Sequence, residues 1–498
     1  MKIKNIVTIL LVAVILVSCA PSSKVVPTVT AMITSTGTPL PSTPTITPTP
    51  SPENITDTRD LSVWVDDFAH AYECEVTVNN VKMNAIQLTD EIRKSPDKFI
   101  QTAQVNGMEY SFLVVNNVPL AIMGNDNIWK DIGYKDLAPQ RMTVGASFAV
   151  WTGDYDNDPR YREVFLKNFN LAATDGSLSE YDLLGKMYNL PKGTKFTLDE
   201  VMGNFNWKDF DKIASFMKEN NIPLRAQHLL ATYPQEYVDE TLDWMNHLGN
   251  DDLQKYVDGE MTSILNRYQF AEASFANESF WVDGIPGNNF YYRRFGKNYI
   301  ENAFNVAHTA SPETTLILND NLTYFDQDGS YPGGVNVINK EAKIIYEYIK
   351  QSRAQGILIG GAGIESHLVA SDFINGDVDV EKMKQGYIDY MAQYADIGVD
   401  VYITELDIRI DTLPDDWSQI MREELKAKIY KAIFEACLQS ENCKSVTTWG
   451  FSNTASWMVV NEAVDSIKVS PLPLDVNYRP LPASYAIKQA LFEHWVQP

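Results

Sequence analysis

The chain has 498 residues, of which 45% are hydrophobic and 21% charged, and this composition excludes a wholly disordered protein. Lys and Arg total 41 against 65 Asp and Glu, so the formal net charge is −24, and such an acidic surface disfavours binding to the phosphates of nucleic acid. With 6 His and 4 Cys, the composition also argues against a multi-zinc protein or a disulfide-dense scaffold.

The N-terminus has the pattern of a lipoprotein signal peptide. Lys2 and Lys4 precede an apolar run over residues 6–17, which is too short to span a bilayer comfortably and is typical of a signal-peptide hydrophobic region. The run ends in Leu16-Val17-Ser18-Cys19, which resembles the bacterial lipobox and predicts that Cys19 carries a lipid after cleavage. An ordinary secretory signal with an incidental cysteine is the alternative. Both interpretations predict an exported chain, and the first places it at the bacterial cell surface or envelope.

Two segments are predicted between the signal peptide and the main body. Residues 20–55 are rich in Pro, Thr and Ser, so we expect an extended linker that buries no core. Residues 56–137 are predicted to form a small α+β module, with strands at Glu75–Val78 and 111–115 and a helix over 88–94. A spacer or docking role is favoured for this module over a carbohydrate-binding role.

From residue 138 onward, short β runs alternate with helical stretches. Eight such repeats in about 360 residues predict a (β/α)₈ TIM barrel, whose active site would lie at the carboxyl ends of the strands. The predicted strands are 142–150, 169–174, 224–231, 268–277, 314–319, 356–364, 400–405 and 445–451. The predicted helices include 207–220, 297–309, 340–353, 380–394, 421–437 and 483–495.

Carboxylates lie at the ends of two predicted strands. Glu405 and Asp407 share one face of the seventh strand because side chains alternate along a strand, and Glu278 ends the fourth. Two glutamates at the mouth of a barrel suit retaining glycoside hydrolysis, in which one attacks the anomeric carbon and the other protonates the leaving oxygen and then activates water. A structural salt bridge is the alternative for each carboxylate alone. Glu272, six residues before Glu278 on the same face, competes for the acid/base role.

The motifs around these carboxylates resemble those of family-10 glycoside hydrolases, which are typified by endo-β-1,4-xylanases. The stretch from Ile403 to Ile408 reads ITELDI, as in the family's nucleophile motif, and Asn277-Glu278 matches its acid/base dipeptide. The resemblance covers about residues 140–498. Further matching positions are Phe280, Asp283, Gly284, Phe290, Arg293 and Gly296, Asn319-Asp320, the GIESHL stretch over residues 363–368, Trp449-Gly450, Ser456-Trp457, and Asn477-Tyr478-Arg479-Pro480.

The resemblance implies a retaining endo-β-1,4-glycanase that acts on xylan, needs no metal and no cofactor, and works as a monomer. It assigns Glu405 as the nucleophile and Glu278 as the acid/base. His367 would donate a hydrogen bond to Glu405, and Asn277 would donate to the 2-hydroxyl of the sugar beside the scissile bond. Trp449 and Trp457 would stack on sugar faces, although packing in the core is the alternative for both, and the expected supporting residues are Asp407, Glu365 and Asn319.

Three cysteines follow the signal peptide. Cys437 and Cys443 are six residues apart, between a predicted helix and a predicted strand, and an exported protein retains disulfides. The two positions also match a disulfide of many family members, so this pair is expected to be bridged. Cys74 is then left as an odd cysteine, and a buried free thiol is its simplest interpretation.

The first half of the predicted barrel departs from the family pattern. After the second strand, residues 174–181 lack the family's Glu, Asn and Lys that bind sugar hydroxyls. On the third strand, residues 226–232 match neither family histidine, although His228 lies one position off, and Glu365 replaces the usual Gln. Since polar contacts to hydroxyls discriminate strongly between sugars, the departures leave two alternatives open: a glycosidase for another β-linked glycan, or a non-catalytic sugar-binding surface protein.

Overall fold

The computed structural model describes residues 61–124, 126–150, 152–175, 183–187, 189–231, 233–280, 289–320, 340–374, 379–461 and 466–496. The predicted signal peptide, Cys19 and the Pro-rich linker lie outside the described residues, and so do Asp283, Gly284 and most of the divergent stretch after the second barrel strand. Within the ranges just given, none of the helices combines the length and apolarity that a bilayer span requires.

Residues 61–131 form two small antiparallel sheets and two helices. The strands are β1 (Glu75–Val78), β2 (Val81–Asn84), β3 (Ile100–Val105), β4 (Met108–Val115), β5 (Val118–Met123) and β6 (Trp129–Asp131), and the helices are Ser62–Ala71 and Ala85–Lys94. β1 pairs with β2, and β3 to β6 follow one another as a meander. The second helix is capped by Asn84, because the Asn84 and Gln87 side chains each accept a hydrogen bond from the other residue's backbone N–H group.

This N-terminal unit packs against the last helix of the chain, Pro482–Val496. The Tyr485 ring meets Phe68 edge-on with 4.9 Å between ring centroids, and Phe492 meets Phe112 at 5.0 Å. Tyr485 therefore belongs to the apolar core of the unit. None of the cysteines in the described ranges is a free thiol, so the free thiol that the sequence predicted at Cys74 is wrong.

Eight parallel strands of the described chain close into a barrel, as the sequence predicted. They are β7 (Thr143–Ser147), β8 (Leu171–Ala173), β9 (Leu224–Ala231), β10 (Glu272–Asn277), β11 (Thr315–Asp320), β12 (Gly361–Ile364), β14 (Asp400–Arg409) and β15 (Cys443–Thr448). Each strand pairs with the next, and β15 pairs with β7 to close the ring. A short strand, β13 (His367–Val369), extends the edge beside β14.

Helices surround the barrel and connect its strands. Those of eight residues or more are Pro159–Asn168, Lys208–Glu219, Asn250–Arg267, Tyr299–Ala310, Lys340–Ala354, Val380–Ala395, Gln419–Gln439 and Pro482–Val496. The shorter α-helices are Tyr134–Leu137, Asp154–Asn157, Leu198–Met202, Gln235–Thr241, Phe290–Phe295, Trp457–Asn461 and Ser466–Val469, and 3₁₀ turns span Pro96–Lys98, Gly185–Met187, Asp243–His247, Ala370–Phe373 and Asn453–Ala455.

The strands are apolar because helices cover the outside of the barrel while side chains fill its inside. β14, for example, is buried from Val401 to Ile408. The sixth barrel strand begins at Gly361, five residues later than the sequence predicted. Gly356 has a left-handed φ of 87°, as is common just after a helix end, and its backbone N–H and that of Ile357 bond back to the preceding helix. Leu358 is exposed as a result.

The predicted disulfide is present between Cys437 and Cys443, whose Cα atoms are 5.2 Å apart. Cys437 lies near the end of the helix Gln419–Gln439, and Cys443 begins β15. The bridge thus joins a barrel helix directly to the strand that follows it.

Arg225 lies inside the barrel near the amino ends of the strands and is fully buried. Its guanidinium donates to Oε2 of Glu272 at 2.6 and 2.8 Å, to Oγ1 of Thr447 at 2.9 Å and to Oγ of Ser445 at 2.6 Å. Its cation also lies 5.8 Å from the centroid of the Tyr402 ring. One side chain therefore ties β9 to β10, β14 and β15.

Replacing Arg225 with Met should lower the free energy of unfolding by about 3–5 kcal/mol, because the substitution leaves the largely buried Glu272 carboxylate without its cation. Urea denaturation followed by circular dichroism measures this loss. The double variant R225M/E272L removes both charges and should recover much of the stability. K255M breaks an exposed ion pair with Asp252 and serves as the control, with an expected change within about 1 kcal/mol. Equal urea midpoints for R225M and the parent would contradict the assignment.

Candidate active site

Nine residues that the sequence singled out converge at the carboxyl ends of the barrel strands. Because all eight strands run parallel, residues at their carboxyl ends meet on one face of the barrel. Asn277 ends β10, Asn319 lies near the end of β11, Glu405 and Asp407 lie on β14, and His367 begins β13. Glu278, Glu365 and Trp449 directly follow β10, β12 and β15, and Trp457 begins the short helix Trp457–Asn461.

Glu405 is the centre of this group, and 3% of its surface is exposed. Its Oε1 accepts hydrogen bonds from Nε2 of Gln227 at 2.5 Å and from Nδ2 of Asn319 at 2.8 Å. Nε2 of His228 lies 3.4 Å from the same oxygen, and Nε2 of His367 lies 3.3 Å from Oε2. Both oxygens of the carboxyl group are therefore surrounded by donors.

These donors keep Glu405 ionised although it is buried. Burial alone would raise its pKa, but the hydrogen bonds and positive charges of His228 and His367 outweigh burial and lower the pKa to about 2. In return, the charge of Glu405 raises the pKa of both histidines, although burial opposes ionisation of each imidazole. The nucleophile predicted from the sequence is thus a carboxylate over the whole range in which most proteins work.

Glu278 has the opposite electrostatic setting. Burial raises the pKa of its carboxyl, the charge of Glu405 raises it further, and His228 and His367 counteract only in part. The residue has a φ of 48°, in the left-handed region that non-glycine residues rarely adopt. Its backbone N–H donates to the carbonyl of Asn319 at 3.0 Å, which holds the turn at the end of β10.

Asn319 organises the residues between the two carboxyl groups. Its Nδ2 donates to Oδ1 of Asn277 at 2.6 Å, to Glu405 at 2.8 Å and more distantly to Oε1 of Glu365 at 3.3 Å. Its Oδ1 accepts a 2.6 Å hydrogen bond from Oγ1 of Thr404. A Cβ at Gly363 would lie 2.2 Å from the same oxygen, so a glycine is required there for the amide to keep this position.

Asp407 orients two further residues of the site. Its Oδ1 lies 2.8 Å from Nδ1 of His367, and its Oδ2 accepts a hydrogen bond from Nε1 of Trp457 at 2.8 Å. The His367 ring packs edge-on against Trp457, and the Trp449 ring stacks on His228 with centroids 6.1 Å apart. Asp407 itself is fully buried, and its two oxygens hold the His367 ring and the Trp457 indole in place.

Glu365 adds a third carboxyl group, of which 1% is exposed. Besides the contact with Asn319, its Oε2 lies 3.9 Å from Nε2 of His367. Burial and the charges of Glu405 and Glu278 raise its pKa well above the ordinary range, although His367 counteracts them. In the part of the chain that the structure describes, Glu365, His367 and Glu405 form the one group that could hold a metal ion, with donor atoms within 4.8 Å of one another.

Two residues that contact the Glu405 carboxylate were not predicted from the sequence. Gln227 was counted as a departure from the family pattern, and His228 as a histidine one position off, yet both reach the carboxylate. The available signal was alternation, since Gln227 lies two residues after the inward-facing Arg225 on β9. Glu272, the competitor for the acid/base role, is bound to Arg225 at the other end of the barrel and takes no part in this site.

Comparison with known proteins is consistent with this arrangement. The chain is 30% identical over 292 residues to endo-1,4-beta-xylanase D of Talaromyces funiculosus, an alignment that covers 58% of this chain but less than two thirds, 64%, of that protein. It is 23% identical over 377 residues to endo-1,4-beta-xylanase B of Thermotoga neapolitana, covering 73% of this chain and 93% of that protein.

The barrel also matches solved structures. Xylanase 10B from Thermotoga petrophila RKU-1, crystallised with xylobiose, superposes with a TM-score of 0.57 at 21% identity, covering 73% of this chain and 98% of the other. A xylanase from Gloeophyllum trabeum superposes with a TM-score of 0.55 at 23% identity. These structures establish the shared fold. The family model described as glycosyl hydrolase family 10 matches residues 135–490, and the chain therefore belongs to glycosyl hydrolase family 10.

Proposed function

We propose that the protein is a retaining endo-β-1,4-glycanase that hydrolyses xylan by double displacement. The observation that supports this proposal most strongly is that the pKa values of two carboxyl groups in one site are shifted in opposite directions. The pKa of Glu405 is lowered to about 2, while that of Glu278 is raised. A nucleophile must be ionised and a general acid must hold its proton, and environments that separate two pKa values in this way assign the two roles.

In the first step, the Glu405 carboxylate attacks the anomeric carbon and forms a glycosyl–enzyme ester. The bond to the leaving oxygen breaks, and Glu278 gives its proton to that oxygen. In the second step, the Glu278 carboxylate takes a proton from water, the resulting hydroxide attacks the same carbon, and Glu405 leaves as a carboxylate. The sugar retains its configuration, and both glutamates return to their starting protonation states.

Neighbouring residues would hold the sugar in place for these steps. Oδ1 of Asn277 accepts the hydrogen bond from Asn319, so its amide N–H groups remain available for the 2-hydroxyl beside the scissile bond. Trp449 and Trp457 present apolar faces on which a sugar ring can stack.

Two observations support xylan as the substrate. The curated relatives reported above are named as endo-1,4-beta-xylanases, and one of the matching structures contains xylobiose. A sugar-binding protein without catalysis would have no use for two carboxyls with opposite pKa shifts. Another β-linked glycan is the second candidate, because Gln227 stands on β9 where the family pattern has a histidine.

We infer further that the protein is exported and anchored through a lipid on Cys19. The apolar run, the lipobox-like stretch and the Pro-rich linker support this inference, since a tether of that length would hold the barrel away from a membrane surface. A monomer remains the proposed state in solution.

Replacing Glu405 with Gln should lower reducing-end release from xylan at least about 10³-fold, because an amide cannot form the glycosyl ester. Replacing Glu278 with Gln should lower it by about 10²–10⁴-fold through loss of the general acid. The measurement compares residues 56–498 of the parent with these variants and with E313Q, which changes an exposed glutamate just before β11, at the opposite end of the barrel. Xylan hydrolysis by E405Q would contradict the proposal, and faster hydrolysis of another β-glycan by the parent would reassign the substrate.

Replacing Asp407 with Asn should move the acid limb of the kcat/KM profile to higher pH. The charge of Asp407 raises the pKa of His367, so its removal lets that imidazole lose its proton at lower pH. Glu405 then loses a charged donor, and its pKa rises from about 2, so a higher pH is needed to ionise it. W457F removes the indole donor but keeps the Asp407 charge, and its acid limb should move less. An acid limb that stays in place in D407N would refute this coupling.

Replacing Cys19 with Ser should move the expressed protein from the membrane fraction to the soluble fraction, because serine cannot carry the thioether-linked lipid. Immunoblots of both fractions measure the change. The matched control is S18A, which alters the neighbouring residue but keeps the thiol. Equal membrane association of C19S and the parent would exclude the anchor.

A further inference from the structure

Glu365 is the acidic residue in the active site that the family pattern does not supply, because a glutamine usually stands there. Its carboxyl approaches the same two donors that serve Glu405. Asn319 donates to both groups, at 2.8 Å to Glu405 and 3.3 Å to Glu365, and Nε2 of His367 lies 3.3 Å from Glu405 and 3.9 Å from Glu365. In both cases the shorter contact goes to Glu405.

The donors near Glu365 do not suffice for a second charge. Nδ2 of Asn319 has two hydrogens, and its nearer acceptors are Asn277 and Glu405. Oε2 of Glu365 is buried and has no hydrogen-bond partner among the described residues. An ionised oxygen in that position would carry a large desolvation cost, whereas a hydroxyl oxygen would carry a smaller one.

The charged groups that face Glu365 come from every strand around it. Glu405 on β14, Glu278 after β10 and Asp320 on β11 all disfavour its ionisation, while His367 on β13 favours it. His228 on β9 lies beside Glu405. Three acidic groups therefore oppose one imidazole, and a proton on Glu365 is the change that relieves the repulsion without removing the Glu405 charge.

We propose that Glu365 carries a proton in the active enzyme, and that loss of this proton sets an upper pH limit on turnover. In this role, which rests on the proposed glycosidase function, Glu365 is a positioning residue for Glu405. While it is neutral, Glu365 leaves the hydrogen bonds of Asn319 and His367 to the carboxylate of Glu405. Once ionised, it competes for both donors and repels Glu405, and small displacements of a reacting group are costly in rate.

The test must separate Glu365 from Glu278, because a general acid that loses its proton also gives an alkaline limb. A 2,4-dinitrophenyl β-xylobioside serves this purpose, since its leaving group departs without protonation. In an E278A background, the alkaline limb of kcat/KM for this substrate reports groups other than Glu278. The comparison is between E278A and E278A/E365Q, in which the amide keeps the shape of the side chain but cannot ionise.

We expect the alkaline limb of E278A to move upward by at least one pH unit, about a tenfold change in proton affinity, or to vanish, when E365Q is added. If His367 or His228 caused the limb, E365Q would leave it in place or move it downward, because removing a nearby negative charge lowers the pKa of an imidazole. The sign of the movement therefore decides the matter. A limb that is unmoved or moved downward overturns the proposal, and so does the absence of any limb in E278A.

Two controls complete the experiment. E278A/E313Q removes an exposed carboxylate at the opposite end of the barrel and should leave the limb in place. E405Q should release no dinitrophenol, and release by E405Q would refute the proposed function itself, independently of the position of any limb.

Protonation of Glu365 can also be observed directly by NMR. In protein labelled with ¹³C at the glutamate carboxyls, the Glu365 resonance is the one that E365Q removes. This resonance should keep the chemical shift of a protonated acid at pH 7. An ionised shift at pH 7 would overturn the proposal without any measurement of rate.

Discussion

The active site is built around one buried negative charge, that of Glu405. A carboxylate removed from water is costly unless donors replace its hydration, and here the donors come from three strands: Gln227 and His228 on β9, Asn319 on β11, and His367 on β13. Closure of the barrel is what brings these strands around β14. The supporting contacts then fix the donors, since Thr404 holds the Asn319 amide and Asp407 holds the His367 ring.

The same charge helps to determine the protonation of its neighbours. Burial raises the pKa of Glu278 and Glu365, and the charge of Glu405 raises both further. The same charge favours the charged form of His228 and, together with that of Asp407, of His367. Burial and the Glu405 charge together thus give the proposed general acid its proton beside the ionised carboxylate. The same two effects also explain how the site accommodates a third carboxyl group where the family has an amide. A protonated acid has the shape and the neutral charge of glutamine, so the substitution need not disturb the donors of Glu405.

Much of the fold was predictable from the sequence because its signals are local. All eight barrel strands were predicted, and the ITELDI stretch and the Asn277-Glu278 pair singled out the two glutamates of the proposed mechanism before any geometry was known. The role of Gln227 was not predictable in this way, because its partner Glu405 is 178 residues distant and reaches it only across the closed barrel. Glu272 looked like a rival acid for the same reason, since the sequence does not show that Arg225 neutralises it.

Comparison of the two ends of the barrel interior shows why chemistry belongs to one of them. Near the amino ends, the largely buried carboxylate of Glu272 is balanced by an arginine, which stays charged at every accessible pH. Because the guanidinium does not give up its charge, the pair can stabilise strands but supplies no general acid. At the carboxyl ends, the charge of Glu405 is balanced by imidazoles, while the neighbouring acids hold protons. Both kinds of group titrate. An arginine beside Glu405 would stabilise the charge of that carboxylate equally well. It would not, however, provide the titrating neighbours on which acid/base catalysis depends.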